Sequence, residues 1–345
     1  MFTYGSRNLM KQPPHIAIAG ATGAVGIEML NCLAEQKVPY SQLTLLASAR
    51  SAGKVMSFQG KDLVVQELTA DAFESVDIAL FAAGGDISLE FAPHAVAAGA
   101  IVIDNSSAFR MDSEVPLVVP EINPEAARNT PKGIIANPNC TTIISLMALA
   151  PLHREFGLKS IIASSYQAVS GSGAAGIVEL DSQIDALANG GEIKKEVYPH
   201  QIASNVIPHV DVFQEGGYTK EELKMLHESR KILEVPDLPV TCTCVRVPVH
   251  RSHSVSITAQ FEKPVTVASA QAVFGDSTPG INLCDDPSQS LYPTPLDTSG
   301  KDDCLVGRIR MDRVQENALA LWVVGDQVKK GAALNAVQIA QLLLS

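Results

Sequence analysis

With 345 residues, 46% of them hydrophobic and 18% charged, the chain is long enough for two domains, each with its own core, and reads as soluble and globular. A net charge of −11 argues against non-specific nucleic-acid binding and against docking on an anionic membrane, while leaving room for a locally basic cleft that takes small anions. No apolar run approaches the roughly 20 residues of a membrane span. Six scattered cysteines (32, 140, 242, 244, 284 and 304) supply neither a disulfide framework nor zinc-ligand spacing, so free thiols, no metal and a reducing, cytoplasmic setting are expected.

Residues 1–14 carry Arg7 and Lys11 but no continuous apolar stretch, which fits a disordered tail rather than a secretory signal. The first strand is expected over His15 to Ala19. It runs straight into Gly20-Ala21-Thr22-Gly23-Ala24-Val25-Gly26 and then a helix with Val25, Met29, Leu30 and Leu33 on one side. Strand, Gly-x-x-Gly-x-x-Gly, helix is a variant of the dinucleotide fingerprint: glycines permit the tight turn and bring backbone N–H groups to a pyrophosphate at the helix N-terminus. Gly20, Thr22, Gly23, Ala24 and Val25 are therefore candidate cofactor contacts. A second strand over Leu43 to Ala47 ends in Ser48-Ala49-Arg50-Ser51-Ala52-Gly53-Lys54. NAD enzymes usually place an acid about there to hold the ribose 2′-hydroxyl. Here two cations and two hydroxyls stand instead, which suits a 2′-phosphate and predicts NADP, with Ser48, Arg50 and Ser51 as its contacts.

Near-continuous apolar strands follow at Asp77 to Phe81 and Ala100 to Asp104, with a helix around Ser88 to Ala98 between them, as in a parallel sheet covered on both faces. Asn105 and Arg110 lie just beyond a strand C-terminus, where doubly wound sheets bind ligands. Short strands are expected at Leu117 to Val119 and Ile134 to Ala136. Asn137-Pro138-Asn139-Cys140 then opens a buried helix, and a cysteine at a helix N-terminus has its thiolate favoured. By position alone Cys140 is either a nucleophile or a small core residue.

Beyond Cys140 the texture becomes α+β. A strand is expected from Lys159 to Val169, a helix from Ala174 to Leu187, and another from Thr219 to Leu233, with Thr219 as N-cap and Glu222 at the capping-box position. Thr241 to Val249 and Ser252 to Phe261 read as consecutive strands of an antiparallel sheet joined by a short turn. More strand is expected at Asp302 to Met311 and Ala318 to Val324. The apolar terminal helix, Gly331 to Leu343, is expected to pack back on the nucleotide domain. Fold class is thus α/β: a Rossmann-type doubly wound domain (15–139 with 326–345) plus a second α+β domain (140–325) that carries Cys140. A thiol nucleophile beside an NADP fold points to covalent aldehyde chemistry through a thioester, which needs a proton-handling group. His250 and His253 are both open to that role.

The chain resembles the aspartate-semialdehyde dehydrogenases from about Ile16 onward. The likeness rests on five motifs in order: Gly20 to Gly26, Asn137-Pro138-Asn139-Cys140, Ser165-Tyr166-Gln167-Ala168-Val169-Ser170-Gly171, Arg246-Val247-Pro248-Val249 with His253-Ser254, and Gly331 to Gln338. The resemblance implies NADPH-dependent reductive dephosphorylation of L-aspartyl 4-phosphate to the semialdehyde, in lysine, threonine, methionine and diaminopimelate synthesis, by a homodimer. It implies Cys140 as nucleophile, His253 as acid–base group, Gln167 as the group orienting the acyl intermediate, and Asn139 beside the nucleophile. Arg246 is implied at the substrate carboxylate, Glu221 at the amino group, and Lys224 and Arg110 at the phosphate, with Asn105 a further candidate substrate contact. Lys220 and Glu222 compete by adjacency with Lys224 and Glu221. Ser170, Gly171 and Asn335 are implied near the cofactor. Rival readings are an N-acetylglutamyl-phosphate reductase, a non-catalytic NADP-binding paralogue, and a protein whose cysteines sense redox state.

Overall fold

The computed structural model describes residues 13–275 and 278–344, so nearly all of the tail expected over 1–14 lies outside the described residues. The chain forms two compact units, Met1–Asn139 with Ala332–Ser345 and Cys140–Gly331.

The first unit contains β1 (His15–Ala19), α1 (Ala24–Glu35), β2 (Gln42–Ala47), β3 (Val55–Phe58), β4 (Lys61–Val64), β5 (Gln66–Glu67), β6 (Ile78–Phe81), α2 (Gly85–Ala97), β7 (Ile101–Asp104) and β8 (Ile134–Ala136). Six strands make one parallel sheet in the order β5-β2-β1-β6-β7-β8. Every residue of β1, β6 and β7 is buried, which is why their sequences are apolar without alternation. Ile16, Ile18, Leu45 and Leu80 share a core with Met29 and Leu33 of α1 and with Leu334, Val337 and Ile339 of the terminal helix. That sequestration is the hydrophobic reason the chain returns to this unit.

Two expectations for this unit change. Leu117 to Val119 is no strand: only Leu117 bridges to Ala136, because the Asn123 side chain ties the Val119 N–H and the Leu117 carbonyl into a turn. Residues 55–64 form an unforeseen antiparallel hairpin, β3 with β4, whose turn residues Gln59 and Gly60 both sit at positive φ.

The second unit contains α3 (Cys140–Phe156), β9 (Leu158–Gln167), α4 (Ala174–Asn189), α5 (Lys220–Ile232), β10 (Val240–Arg246), β11 (His253–Phe261), α6 (Val267–Val273), β12 (Ile281–Leu283), α7 (Pro295–Thr298), β13 (Cys304–Met311) and β14 (Ala318–Gly325). Its sheet runs β10-β9-β11-β14-β13-β12. The expected pairing of 241–249 with 252–261 is therefore corrected. β10 lies parallel to β9 on one side, and β11 antiparallel to β9 on the other. Segment 247–250 makes this possible by passing across the end of β9. The Val247 N–H bonds the Gln167 carbonyl, while the Val249 and His250 carbonyls accept from Val169 and Ser170. Arg246 and His253 thus flank β9 instead of flanking a hairpin turn.

α5 starts as expected, with the Thr219 hydroxyl and the Glu222 carboxylate closing a reciprocal capping box. The second crossing between units falls at Ala332, six residues later than the expected 326. Asp326 explains the delay, because its buried carboxylate accepts from Arg251, Gly300, Val328 and Lys329, all within the second unit. The terminal helix, α8 (Leu334–Leu342), begins only after a π-type turn over Lys329–Ala333.

Candidate active site

In the first unit the glycine loop joins β1 to α1. Gly20 has φ +85°, and a Cβ there would lie 2.7 Å from the Ala82 carbonyl oxygen. One on Gly26 would lie 2.3 Å from the Gly20 carbonyl oxygen. Backbone approach of this kind admits glycine alone. Gly23 caps α1 without any side-chain acceptor, so the first N–H groups of the helix, at Ala24 and Val25, remain available to an anion beside the half-exposed Thr22. At the end of β2, Ser48 and Arg50 are exposed, whereas Ser51 is buried with its hydroxyl 3.5 Å from the Lys54 ammonium. Pyrophosphate and 2′-phosphate groups of a dinucleotide fit this donor set.

The same unit brings Asn105 and Arg110 together beyond β7. The buried Arg110 guanidinium donates to the carbonyls of Asn105 (2.7 Å) and Asn137 (2.9 Å), bracing the segment that leads to Asn139. Both polar atoms of the Asn105 amide are buried with no partner among the described residues. An orphaned pair of this kind is costly unless a ligand or water meets it. Asn335, implied near the cofactor, is wholly buried and donates to the Val118 carbonyl and the Asn137 side chain. There it braces Asn137, the first residue of the Asn137-Pro138-Asn139-Cys140 motif.

In the second unit Cys140 is the first residue of α3 and is half-buried. Space beside it is kept by Gly331, where a Cβ would stand 2.8 Å from that of Cys140. The next residue, Thr141, accepts a 2.7 Å hydrogen bond from the Gln167 amide nitrogen, which also donates to Glu221 at 3.0 Å. With its NH₂ spent, Gln167 keeps its buried carbonyl oxygen without a partner among the described residues.

Glu221 in turn accepts from Lys224 at 2.9 Å, and Lys224 reaches Asp211 at 2.8 Å. Burial works against the Lys224 charge, yet the two carboxylates hold its ammonium above the ordinary lysine range. Glu222 is committed elsewhere, to the Thr219 N–H and the Cys244 N–H, and Lys220 is exposed. Sequence adjacency left the two pairs open. The structure joins Glu221 and Lys224 to Gln167.

Arg246 and His253 meet the residue after Gln167. The Ala168 carbonyl accepts from Arg246 at 2.6 Å, and the Ala168 N–H donates to His253 Nδ1 at 3.0 Å. Gly171 closes the group: a Cβ there would lie 2.9 Å from an Arg246 nitrogen and 3.4 Å from the His253 ring. Its neighbour Ser170 instead takes a hydrogen bond from Gln327. Because His253 Nδ1 accepts, its neutral ring carries the proton on Nε2, which is buried and lacks a partner among the described residues. Burial, and then the Arg246 charge, push the His253 pKa down to about 3. His250, the other candidate, is exposed and pairs with Asp181.

Outside this cluster, Cys242 and Cys244 lie buried on β10 with sulfurs 3.8 Å apart. The hydrogen bond to Cys242, with burial, raises the Cys244 pKa, the reverse of a reactive thiolate. Among the described residues no group of three or more His, Cys, Asp or Glu is placed to hold a metal, and no helix is long and apolar enough to cross a membrane.

The His253 environment has a consequence for stability. An unfolded histidine titrates near 6.5 and the folded one near 3, so between those values the unfolded chain binds the extra proton and stability falls as pH drops. Unfolding free energies from denaturant titrations between about pH 7 and about pH 4 should decline more steeply with falling pH for the native chain than for His253→Gln. The excess slope should be at most about 1.4 kcal/mol per pH unit. Equal slopes would contradict the buried neutral ring.

Known proteins resemble this chain along most of its length. The semialdehyde dehydrogenase NAD binding domain matches residues 15–130, and the semialdehyde dehydrogenase dimerisation domain matches 149–330. The aspartate-semialdehyde dehydrogenase of Aquifex aeolicus is 50% identical, over 95% of this chain and 97% of its own. That of Bacillus subtilis is likewise 50% identical, over the same shares. The crystal structure of aspartate semialdehyde dehydrogenase II from Vibrio cholerae superposes with TM-score 0.94 at 46% identity, covering 96% of this chain and 99% of that one. The same Vibrio enzyme is also known complexed with ASA. The Candida albicans enzyme, solved with NADP, gives TM-score 0.74 at 25% identity, covering 96% of this chain and 98% of its own. This chain belongs to the aspartate-semialdehyde dehydrogenase family of oxidoreductases, with a nicotinamide-dinucleotide-binding first unit.

Proposed function

We propose that the protein catalyses the NADPH-dependent reductive dephosphorylation of L-aspartyl 4-phosphate to L-aspartate 4-semialdehyde, through a thioester on Cys140. The reading places it in the cytoplasm, feeding lysine, threonine, methionine and diaminopimelate synthesis. The observation that carries it is the charge pattern around Gln167: Glu221, Lys224 and Arg246, all largely buried and tied to the Gln167-Ala168 segment directly or through one another. An acyl phosphate of aspartate offers a carboxylate to the Arg246 fork, an ammonium to Glu221 and a phosphate to Lys224. Arg110 is a further candidate for the phosphate, and Asn105 for the substrate. An N-acetylated substrate has no ammonium and would leave the Glu221 carboxylate under-paired.

In this reading the Cys140 thiolate attacks the acyl carbon; the C–S bond forms as the C–O bond to phosphate breaks. NADPH, when bound, would supply the hydride for reduction of the thioester, and Arg50 with Ser48 and Ser51 would hold its 2′-phosphate. Collapse of the resulting thiohemiacetal releases the semialdehyde and restores the thiolate. His253 first offers Nε2–H to the oxygen that gains charge. Burial, and then the Arg246 charge, depress its pKa, and a substrate carboxylate that offsets the Arg246 charge brings His253 toward proton transfer. The carbonyl oxygen of Gln167 orients the acyl group, Asn139 flanks the nucleophile, and Ser170 and Gly171 are candidate cofactor contacts. A homodimer is built through the second unit, whose sheet leaves Ile162 and Tyr166 exposed, with the Tyr166 and Trp322 rings 5.3 Å apart.

The test is phosphate-dependent NADP reduction with either semialdehyde. Aspartate semialdehyde should be preferred over the N-acetylglutamyl analogue by at least about 100-fold in kcat/KM, and preference for the acetylated compound would sink the reading. Cys140→Ala should abolish turnover while NADPH binding is kept; unchanged turnover would remove the sulfur from the mechanism. Gly171→Ala tests the packing around Arg246 and His253. It should cost roughly 10-fold or more in kcat/KM at an unchanged thermal midpoint, and full activity would show that the crowding has no catalytic consequence.

A further inference from the structure

Arg246 is held from a second direction, by a segment outside the family motifs. Two side chains of α4 fold residues 194–203 back onto the helix. The Glu179 carboxylate, 93% buried, accepts from the backbone N–H groups of Glu196 (2.7 Å), Val197 and Tyr198 (3.4 Å). The Gln183 carbonyl accepts from Ile202 (2.9 Å) and Ala203 (3.0 Å), and its NH₂ donates to the Lys194 carbonyl at 2.7 Å. Tyr198 is thereby buried in a small core with Val169, Leu180, Ile202 and Ile207. Its hydroxyl donates to the Val169 carbonyl at 3.1 Å, in a niche open only because residue 176 is glycine: a Cβ there would stand 2.5 Å from the hydroxyl oxygen. The Arg246 guanidinium carbon lies 5.9 Å from the centre of the Tyr198 ring. A cation within about 6 Å of an aromatic face is attracted by the ring quadrupole, and more strongly where water is excluded.

We propose that Tyr198 is a positioning residue for Arg246, and that its ring sets the affinity of the enzyme for the carboxylate of its substrate. Arg246 is then fixed twice, by the Ala168 carbonyl at one nitrogen and by the Tyr198 face, and its remaining donors are aimed before substrate arrives. A flexible arginine would pay side-chain entropy on binding, and the aromatic platform removes part of that cost. The proposal rests on the reading that Arg246 grips the substrate carboxylate. Glu179 acts one step further back, by holding the turn that presents the ring.

The experiment compares Tyr198→Phe, Tyr198→Leu and Arg246→Leu with the native enzyme, reading kcat and the KM values for aspartate semialdehyde and for phosphate separately. Tyr198→Phe keeps the ring and should stay within about twofold of native in all three. Tyr198→Leu should raise KM for the semialdehyde by roughly 5- to 30-fold, with kcat and the phosphate KM within about threefold. Replacing residue 198 with 3,4,5-trifluorophenylalanine weakens the ring quadrupole at nearly constant shape, so it should shift the semialdehyde KM upward relative to phenylalanine even if the leucine variant folds poorly. If the leucine variant raises both KM values alike, or the fluorinated ring changes nothing, Tyr198 is core filler and the proposal is overturned. If Arg246→Leu leaves the semialdehyde KM unchanged, the carboxylate assignment of Arg246 fails first, and the proposal falls with it. Arg246→Leu raising that KM while the Tyr198 variants do not would overturn the Tyr198 role alone.

Discussion

Four hydrogen bonds at the end of one strand hold the second unit's reactive groups in register. At Gln167 the side-chain amide ties Thr141, next to the candidate nucleophile, to Glu221. At Ala168 the backbone carbonyl takes Arg246 and the backbone N–H takes His253. Side chains from α3, α5, β10 and β11 are thus referred to the last residue of β9 and the one that follows it. The strand is central enough to be rigid, with β10 on one edge and β11 on the other. A site built on such an element keeps its geometry better than one built on loops, and small displacements at a reacting centre are expensive in rate. The crossover at 247–250 is part of the same device, because passing over the end of β9 is what delivers Arg246 and His253 to opposite sides of Ala168.

Charge is concentrated in a protein that is acidic overall. Lys224 sits between Glu221 and Asp211, and Arg246 lies buried beside a histidine kept neutral. Each cation has a local partner that holds it in place, which lowers the desolvation cost of keeping it largely buried. The neutral His253 follows from the same arrangement: burial and a fixed guanidinium both oppose a second positive charge there. Asp211 was not foreseen, since it lies at a positive φ in an irregular stretch without a motif of its own.

Local signals made much of this legible. The Gly20 to Gly26 loop, the apolar parallel strands, the Thr219 capping box and a cysteine at a helix start are all short-range patterns, and each appears where the chain implied. The capping box also held the means to separate Glu221 from Glu222. A glutamate that closes the box is committed to the Thr219 N–H, which leaves its neighbour Glu221 as the carboxylate that meets Gln167. Strand order in the second sheet was not legible, because the partner of β10 is chosen by the non-local bonds of 247–250 to Gln167, Val169 and Ser170. Leu117 to Val119 has strand composition but is turned by one asparagine side chain. Thr141, Glu179 and Tyr198 carried no signal at all in sequence; their importance comes only from what they touch.

The central claim is that this geometry serves a cysteine that exchanges phosphate for sulfur. The most direct measurement mixes the enzyme with L-aspartyl 4-phosphate in the absence of NADPH, quenches in acid and maps the peptides by mass spectrometry. The account predicts phosphate release matched by a hydroxylamine-sensitive aspartyl adduct on the peptide that contains Cys140. An adduct on Cys242, Cys244 or any other residue, or phosphate release with no covalent adduct under conditions that preserve thioesters, would contradict it.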